Sequence, residues 1–341
     1  MTRVLVTGSA GFIGGYLVEE LLDRGLEVVG LDNYSKYGPV ERAYDSDPSF
    51  QGTTGDATDT TTVYDLLEGC DYLVAGAAKI GGISYFHAYA YDLLAENERI
   101  IAASMDAAIR RYQEGSLEKV VVLSSSMVFE SATEFPSKEG DELAIPPPHS
   151  SYGFQKLATE YFARAAFLQY GLPYTIVRPF NCVGLGERRA QGSAEIASGN
   201  VKLAMSHVVP DLVQKVLRDQ DPLHILGDGS QVRCYTYGGD IARGIATAME
   251  HPAALNEDFN ISTSTSTTVL ELAEMIWRKV HGEERPFRYI SDEPFDYDVQ
   301  HRIPETTKAN EKLGFVATTG LDEMLDEVIP WIREQIELET I

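Results

Sequence analysis

Apolar and polar positions alternate along the first half of the chain between two periods. Val4–Thr7 is a short apolar run that predicts a strand, and Phe12–Arg24 repeats its apolar residues at helical spacing. Glu27–Asp32, with its Val-Val pair, predicts a second strand. Asp71–Ala75, Lys119–Ser124 and Tyr174–Arg178 predict further strands, separated by long helical stretches at Ala90–Gln113 and Tyr152–Tyr170. Strands that alternate with helices imply a parallel, doubly wound α/β sheet. After Phe180 the pattern loosens. Residues 183–205 are rich in Gly, Ser and charge and predict a long loop, followed by helices at about 206–219, 240–250, 268–280 and 320–338. This half is expected to form a smaller C-terminal α/β substrate-binding domain over the carboxyl edge of the sheet, where such folds bind ligands. The division expected is 1–180 with 233–262 against 181–232 with 263–341.

Between the first strand and first helix lies Gly8-Ser9-Ala10-Gly11-Phe12-Ile13-Gly14, a GxxGxxG loop. Gly8 permits the tight turn, Gly11 lets backbone approach a pyrophosphate, and Gly14 lets the helix pack close to the strand. Asp32 ends the second strand at the place where a carboxylate accepts the adenosine ribose hydroxyls and repels a 2′-phosphate. Strand, loop, helix and acid together predict a Rossmann-type domain that binds NAD rather than NADP. Asn33 beside that acid belongs to the same cofactor-facing set. After the third strand region, Asp56 and Ala57 are expected near the adenine, although a plain turn would also use an Asp there.

A second constellation carries the chemistry. The buried strand Val120–Leu123 runs into Ser124-Ser125-Ser126, which places hydroxyls at the ligand crevice. Tyr152-Gly153-Phe154-Gln155-Lys156 opens a helix, and the i, i+4 spacing puts phenol and ammonium on one face. A nearby ammonium and a positive nicotinamide ring both favour the phenolate, so Tyr152 is expected to act as the base towards a sugar hydroxyl. Ser125 is expected to share the proton and Lys156 to hold the nicotinamide ribose.

The chain resembles the extended short-chain dehydrogenase/reductases, the group of nucleotide-sugar epimerases, dehydratases and reductases. Beyond the two motifs above, the resemblance rests on Ala77-Ala78-Lys79-Ile80-Gly81-Gly82, Arg178-Pro179-Phe180-Asn181, Gly227–Arg233, Gly239-Asp240-Ile241-Ala242, Asn260-Ile261-Ser262, and Pro304 to Gly314. It implies that Asn181 and Arg233 hold a nucleotide diphosphate, a role to which an Arg fork is suited. It adds Ala77, Ala78 and Asn97 to the cofactor set, and Lys79, Gly81, Ser126, Met127, Val208 and Asp298 to the substrate set. It also implies a homodimer through Ala90–Gln113 and Tyr152–Tyr170.

Departures from the family pattern narrow the reaction. The 4,6-dehydratases carry Thr-Asp-Glu on the catalytic strand and uronate decarboxylases carry Ser-Glu, whereas this chain has Ser125-Ser126-Met127. GDP-fucose synthase and GDP-mannose 3,5-epimerase use a cysteine where Met127 stands, and a thioether transfers no proton. Ser206-His207-Val208-Val209-Pro210 resembles a stretch that holds a catalytic histidine in GDP-fucose synthase. His207 is therefore open to three roles: acid/base, diphosphate contact, or helix-start residue. The reading that fits is an NAD-dependent nucleotide-diphosphate-sugar epimerase acting at C4. The alternatives are a GDP-sugar 3,5-epimerase or epimerase/reductase using His207, and a non-catalytic NAD sensor.

Composition bounds the setting. The 341 residues carry a formal charge of −24 with 44% hydrophobic and 23% charged positions. Such a surface repels nucleic acid and anionic membranes, and any cation in the pocket must act locally against the global field. No apolar run approaches bilayer length, and Met1 leads straight into the first strand, so neither membrane span nor signal peptide is expected and a cytoplasmic enzyme fits. Cys70, Cys182 and Cys234 are scattered without CxxC or metal spacing.

Overall fold

The computed structural model describes residues 1–80, 89–187, 196–198, 201–203, 207–293 and 299–341. Its centre is a seven-stranded parallel sheet of β1 (Arg3–Thr7), β2 (Glu27–Asp32), β3 (Phe50–Thr54), β4 (Tyr72–Ala75), β5 (Lys119–Leu123), β6 (Tyr174–Pro179) and β7 (Glu257–Ile261). The order is β7-β6-β5-β4-β1-β2-β3, with every neighbouring pair parallel. The order reverses between β1 and β4, so the loops after these two strands diverge and open a crevice at their carboxyl ends. This is the doubly wound Rossmann-type fold that the alternation of periods implies.

The five inner strands are short and mostly apolar because both faces are covered, while the edge strands β3 (Phe50-Gln51-Gly52-Thr53-Thr54) and β7 (Glu257-Asp258-Phe259-Asn260-Ile261) are more polar. Val4, Val6, Val28, Val74, Val121 and Val177 point to one side, where they pack on α1 (Phe12–Asp23) and later on α6 (Gly238–Glu250). Leu5, Val29, Leu73, Val120, Val122 and Ile176 point to the other, against α3 (Ala90–Gln113) and α4 (Ser151–Tyr170). A third apolar cluster lies beyond the carboxyl edge. It joins α5 (Val208–Leu217), α7 (Val269–His281) and α9 (Leu321–Glu337) through Val209, Leu212, Leu272, Ile276, Trp277, Met324 and Val328. Among the described residues no helix is long and apolar enough to cross a membrane.

Two short helices, α2 (Thr60–Leu66) and α8 (Thr307–Leu313), lack the length for a clear sequence period. Among the described residues of the expected loop at 183–205, Val183 belongs to a two-residue strand paired with Thr236–Tyr237, and Ile196–Ser198 and Val201–Leu203 pair as an antiparallel ribbon.

Candidate functional site

The glycine loop closes the crevice at β1. Gly8 has φ +77°, and a Cβ there would press on the Ala77 backbone, so the loops after β1 and β4 touch at the point where strand order reverses. A Cβ at Gly14 would overlap the Gly8 carbonyl oxygen. Gly11 caps α1 without a side-chain hydrogen bond, which leaves the first turn of the helix uncovered by any side-chain cap. Asp32 accepts the Ala10 N–H at 3.0 Å and the Tyr34 N–H at 2.8 Å, which fixes its carboxylate against the loop. Asn33 donates to Asp56 at 3.4 Å, and the Asp56 carboxyl is held low, chiefly by the Thr58 N–H.

One cavity of about 870 Å³ extends from this loop to the C-terminal half. Its wall includes Gly8, Ala10, Gly11, Phe12, Ile13, Gly14, Asp32, Asn33, Asp56, Ala57, Ala77, Ala78 and Lys79. It also includes Ser125, Ser126, Met127, Tyr152, Lys156, Asn181, His207, Val208 and Arg233. Two expected cofactor residues are not in the wall. Ser9 is buried with its hydroxyl packed over the Cα of Gly30, where a Cβ would collide with it. Asn97 is buried and clamps the backbone of residue 79, accepting the Lys79 N–H at 2.7 Å and donating to the Lys79 carbonyl at 2.9 Å. A buried amide must be satisfied, and this backbone does so. Gly81 and Asp298 lie outside the described residues, as do Gly82 and Ser206.

At the end of β5 the chain turns into a short 3₁₀ segment, Ser126–Phe129, with the Ser125 hydroxyl accepting the Met127 N–H at 3.2 Å. Helix α4 starts from a Ser150 cap that accepts the Gly153 N–H at 3.0 Å, and this directs Tyr152 into the cavity. Burial raises the Tyr152 phenol, against which the Ser125 hydrogen bond and the Arg302 guanidinium act. Lys156 lies in the same cavity wall. Its ammonium donates to the Leu123 carbonyl at 2.8 Å. A buried ammonium requires an acceptor, and the last carbonyl of β5 provides one. Burial lowers it to about 8, with Glu160 one turn away opposing.

His207 caps α5, and its Nδ1 pairs with the Glu187 carboxylate, which also faces the His207 backbone N–H at 3.4 Å. Burial works against the Glu187 charge, yet His207 and Lys36 hold this acid below its ordinary value. Arg233 is buried and its Nη1 donates to the carbonyls of Val232 at 2.9 Å and Gln300 at 3.2 Å. Asn181 has φ +36°, an unusual backbone for a side chain at a strand end, and donates to the Cys234 carbonyl at 3.4 Å. Lys36, Glu187 and Arg302 also line the cavity. Sequence reasoning does not single them out, because each is brought in by a loop or a two-residue strand that carries no periodic signal.

The sequence profile of the NAD dependent epimerase/dehydratase family matches residues 4–262. The chain belongs to that family. It is an enzyme, and NAD is its cofactor. It is 29% identical to UDP-N-acetyl-alpha-D-glucosaminuronate decarboxylase of Bacillus cytotoxicus, over 97% of this chain and 98% of that protein. Its fold superposes on UDP-glucose 4-epimerase from Thermotoga maritima, solved with UDP-glucose, at a TM-score of 0.79 and 27% identity, covering 98% of this chain and 100% of that one. MoeE5, solved with UDP-glucuronic acid and NAD, gives 0.79 and 28% identity, covering 98% and 99% of the two chains.

The residues present fit the dinucleotide. The glycine cradle has no room for side chains at Gly8 and Gly14, and Asp32 sits against the loop with lone pairs left for ribose hydroxyls. The same carboxylate repels a 2′-phosphate, so NADP is expected to bind far more weakly than NAD. Asp32→Ala is expected to narrow that difference at least tenfold, read as the ratio of dissociation constants. Equal affinity of the parent for both cofactors would remove Asp32 from cofactor selection.

Proposed function

We propose that this enzyme is a nucleotide-diphosphate-sugar 4-epimerase whose proton-transfer centre is Tyr152 with Ser125. The observation that carries the reading is that both side chains line the cavity that also holds the glycine loop. The lobe of residues 1–180 and 233–262 holds NAD, and that of 181–232 and 263–341 takes the nucleotide sugar. NAD, when bound, supplies the two-electron oxidant for the C4 carbinol. Tyr152 Oη takes the proton of the sugar O4 and later returns it, while Ser125 Oγ holds the same oxygen. Lys156, anchored on the Leu123 carbonyl, sets a positive charge behind the centre. Arg233, Asn181 and the start of α5 at His207 and Val208 hold the diphosphate. Ser126 and Met127 contribute no carboxylate, which argues against water elimination.

The pairing of His207 with Glu187 favours a second reading, epimerisation at C3 or C5 by His207. Turnover in deuterium oxide separates the two. A 4-epimerase leaves the sugar carbons unlabelled, because C3–H and C5–H never ionise. A gain of one mass unit on carbon would sink the C4 reading, and His207→Asn should then abolish the exchange.

The reading includes a homodimer. On α4, Phe154, Tyr161 and Leu168 are exposed and lie seven residues apart, hence on one helical face. Such an apolar stripe beside α3 suits a four-helix contact with a second copy.

A further inference from the structure

The glycine loop is gripped by two side chains that stand outside the cavity wall. Tyr44 Oη donates to the Ser9 carbonyl at 2.9 Å. Arg42 Nη2 donates to the Ala10 carbonyl at 2.8 Å and to the Gly11 carbonyl at 3.3 Å. Successive carbonyls of the loop thus end on side chains from the segment between β2 and β3. Both side chains are themselves fixed. The Arg42 N–H donates to the Asp45 carboxylate at 2.8 Å, and the buried Tyr44 ring packs edge-on against Phe50 of β3, ring centres 4.8 Å apart. The guanidinium reaches the loop past two glycines. A Cβ on Gly15 of α1 would stand 3.2 Å from its central carbon, and one on Gly186 would stand 3.0 Å from Nη1.

In a trans peptide the C=O and the following N–H point in opposite directions. Tying the Ser9 carbonyl to Tyr44 therefore aims the Ala10 N–H away from that ring, and this N–H is the one that Asp32 accepts at 3.0 Å. Tying the Gly11 carbonyl to Arg42 aims the Phe12 N–H away from the guanidinium, which stands outside the cavity that Phe12 and Ile13 line. Phe12 opens α1, and the first donors of a helix have no partner within it. A glycine-rich loop has the freedom to turn a peptide over. A carbonyl turned inward would set its negative end against a pyrophosphate and take a donor away. Arg42 opposes that turn with charge-assisted hydrogen bonds. Its charge also offsets, next to the loop, a net charge of −24 that repels anions.

We propose that Arg42 is a positioning residue for NAD, holding the Ala10 and Gly11 carbonyls outward so that the first N–H groups of α1 are presented to the cofactor's pyrophosphate. Arg42 acts through the loop backbone, and the assignment stands whichever sugar carbon reacts. Tyr44 does the corresponding work one residue earlier, at the ribose end, by fixing the donor that Asp32 accepts.

The test is calorimetric titration of NAD-stripped, full-length protein with NAD and ADP-ribose, with adenosine measured by its competition against NAD. Arg42→Met is expected to weaken NAD and ADP-ribose by about tenfold or more, the loss expected for hydrogen bonds to a charged group. Adenosine, which has no pyrophosphate, should stay within about twofold of the parent. Arg42→Lys keeps the charge without the fork and should recover part of the loss. Tyr44→Phe should weaken adenosine as much as NAD. Without cofactor, Arg42→Met should unfold within about 3 °C of the NAD-free parent, while the rise in Tm that NAD confers should shrink. If Arg42→Met does not fold, Arg42→Lys carries the same comparison. NAD affinity within threefold of the parent in the variant overturns the proposal. Equal weakening of adenosine and NAD in Arg42→Met also overturns it, because Arg42 then supports the lobe as a whole and not the pyrophosphate donors.

Discussion

Tyr152→Phe is expected to lower kcat by about 10²–10⁴-fold, the range typical of losing a positioned proton-transfer group. The change deletes one oxygen from a ring that lines the cavity, so fold and bound NAD should survive it. KM should move little, because the lost group acts on the reacting oxygen and not on the diphosphate. The environment of the phenol explains why the loss is large. Burial alone raises Tyr152 and would leave it protonated, and the Ser125 hydrogen bond and the Arg302 charge work in the other direction. The ammonium of Lys156 sits in the same wall with its proton held less tightly than usual, at about 8 because of burial. As pH rises through that value the ammonium loses its charge and with it a term that favours the phenolate. The parent is therefore expected to lose kcat above about pH 8. Single-turnover measurements with NAD-loaded protein check both points. A Phe variant within threefold of the parent would take Tyr152 out of the mechanism.

The parts of this site that are legible in the sequence share one property: spacing along the chain already fixes their geometry. Gly8 to Gly14 must turn between a strand and a helix, Asp32 must end the adjacent strand, and Tyr152 and Lys156 must share a helical face. Side-chain destinations are less legible, because they depend on what the fold brings near. Ser9 lies inside the glycine motif yet packs over Gly30 of β2. Asn97 stands on the right helix, but its buried amide is consumed by the Lys79 backbone. Lys156 is on the expected face, and its ammonium goes to the Leu123 carbonyl. The largest gap concerns Lys36, Glu187 and Arg302. Glu187 meets His207 across 20 residues, and Arg302 meets Arg233 across a two-residue ladder. Neither contact leaves a period or a turn signal in the sequence.

Arg178→Met is expected to destabilise the fold by about 3–5 kcal/mol, the range found when one member of a buried ion cluster is removed. Arg178 is completely buried at β6. Its guanidinium contacts Glu160 at 2.7 Å, Asp258 at 2.8 Å and Glu142 at 2.9 Å. The side chains of Glu142 and Glu160 are 0% exposed, so without the guanidinium these carboxylates keep the full cost of leaving water. Arg164 contacts Glu142 at 2.9 Å, Glu160 at 3.3 Å and Asp258 at 3.6 Å, and Lys308 reaches Asp258 at 2.7 Å, so part of the compensation remains. The cluster also reaches the site. Glu160 accepts the Ser124 hydroxyl at 2.6 Å, next to Ser125, and it opposes the effect of burial on Lys156. Loss of stability should thus come with a lower kcat at temperatures where the variant is still folded. The unpaired acids can escape the penalty only by taking up protons, so the deficit should be larger at pH 8 than at pH 5. Adding Glu160→Gln removes one of the stranded charges and should recover at least a third of the loss, since the energy lies in the uncompensated charge and not in the shape of the arginine. Denaturant unfolding at the two pH values measures all three quantities. A deficit under 1 kcal/mol, or one that Glu160→Gln deepens, would show that the cluster holds β6 by packing alone.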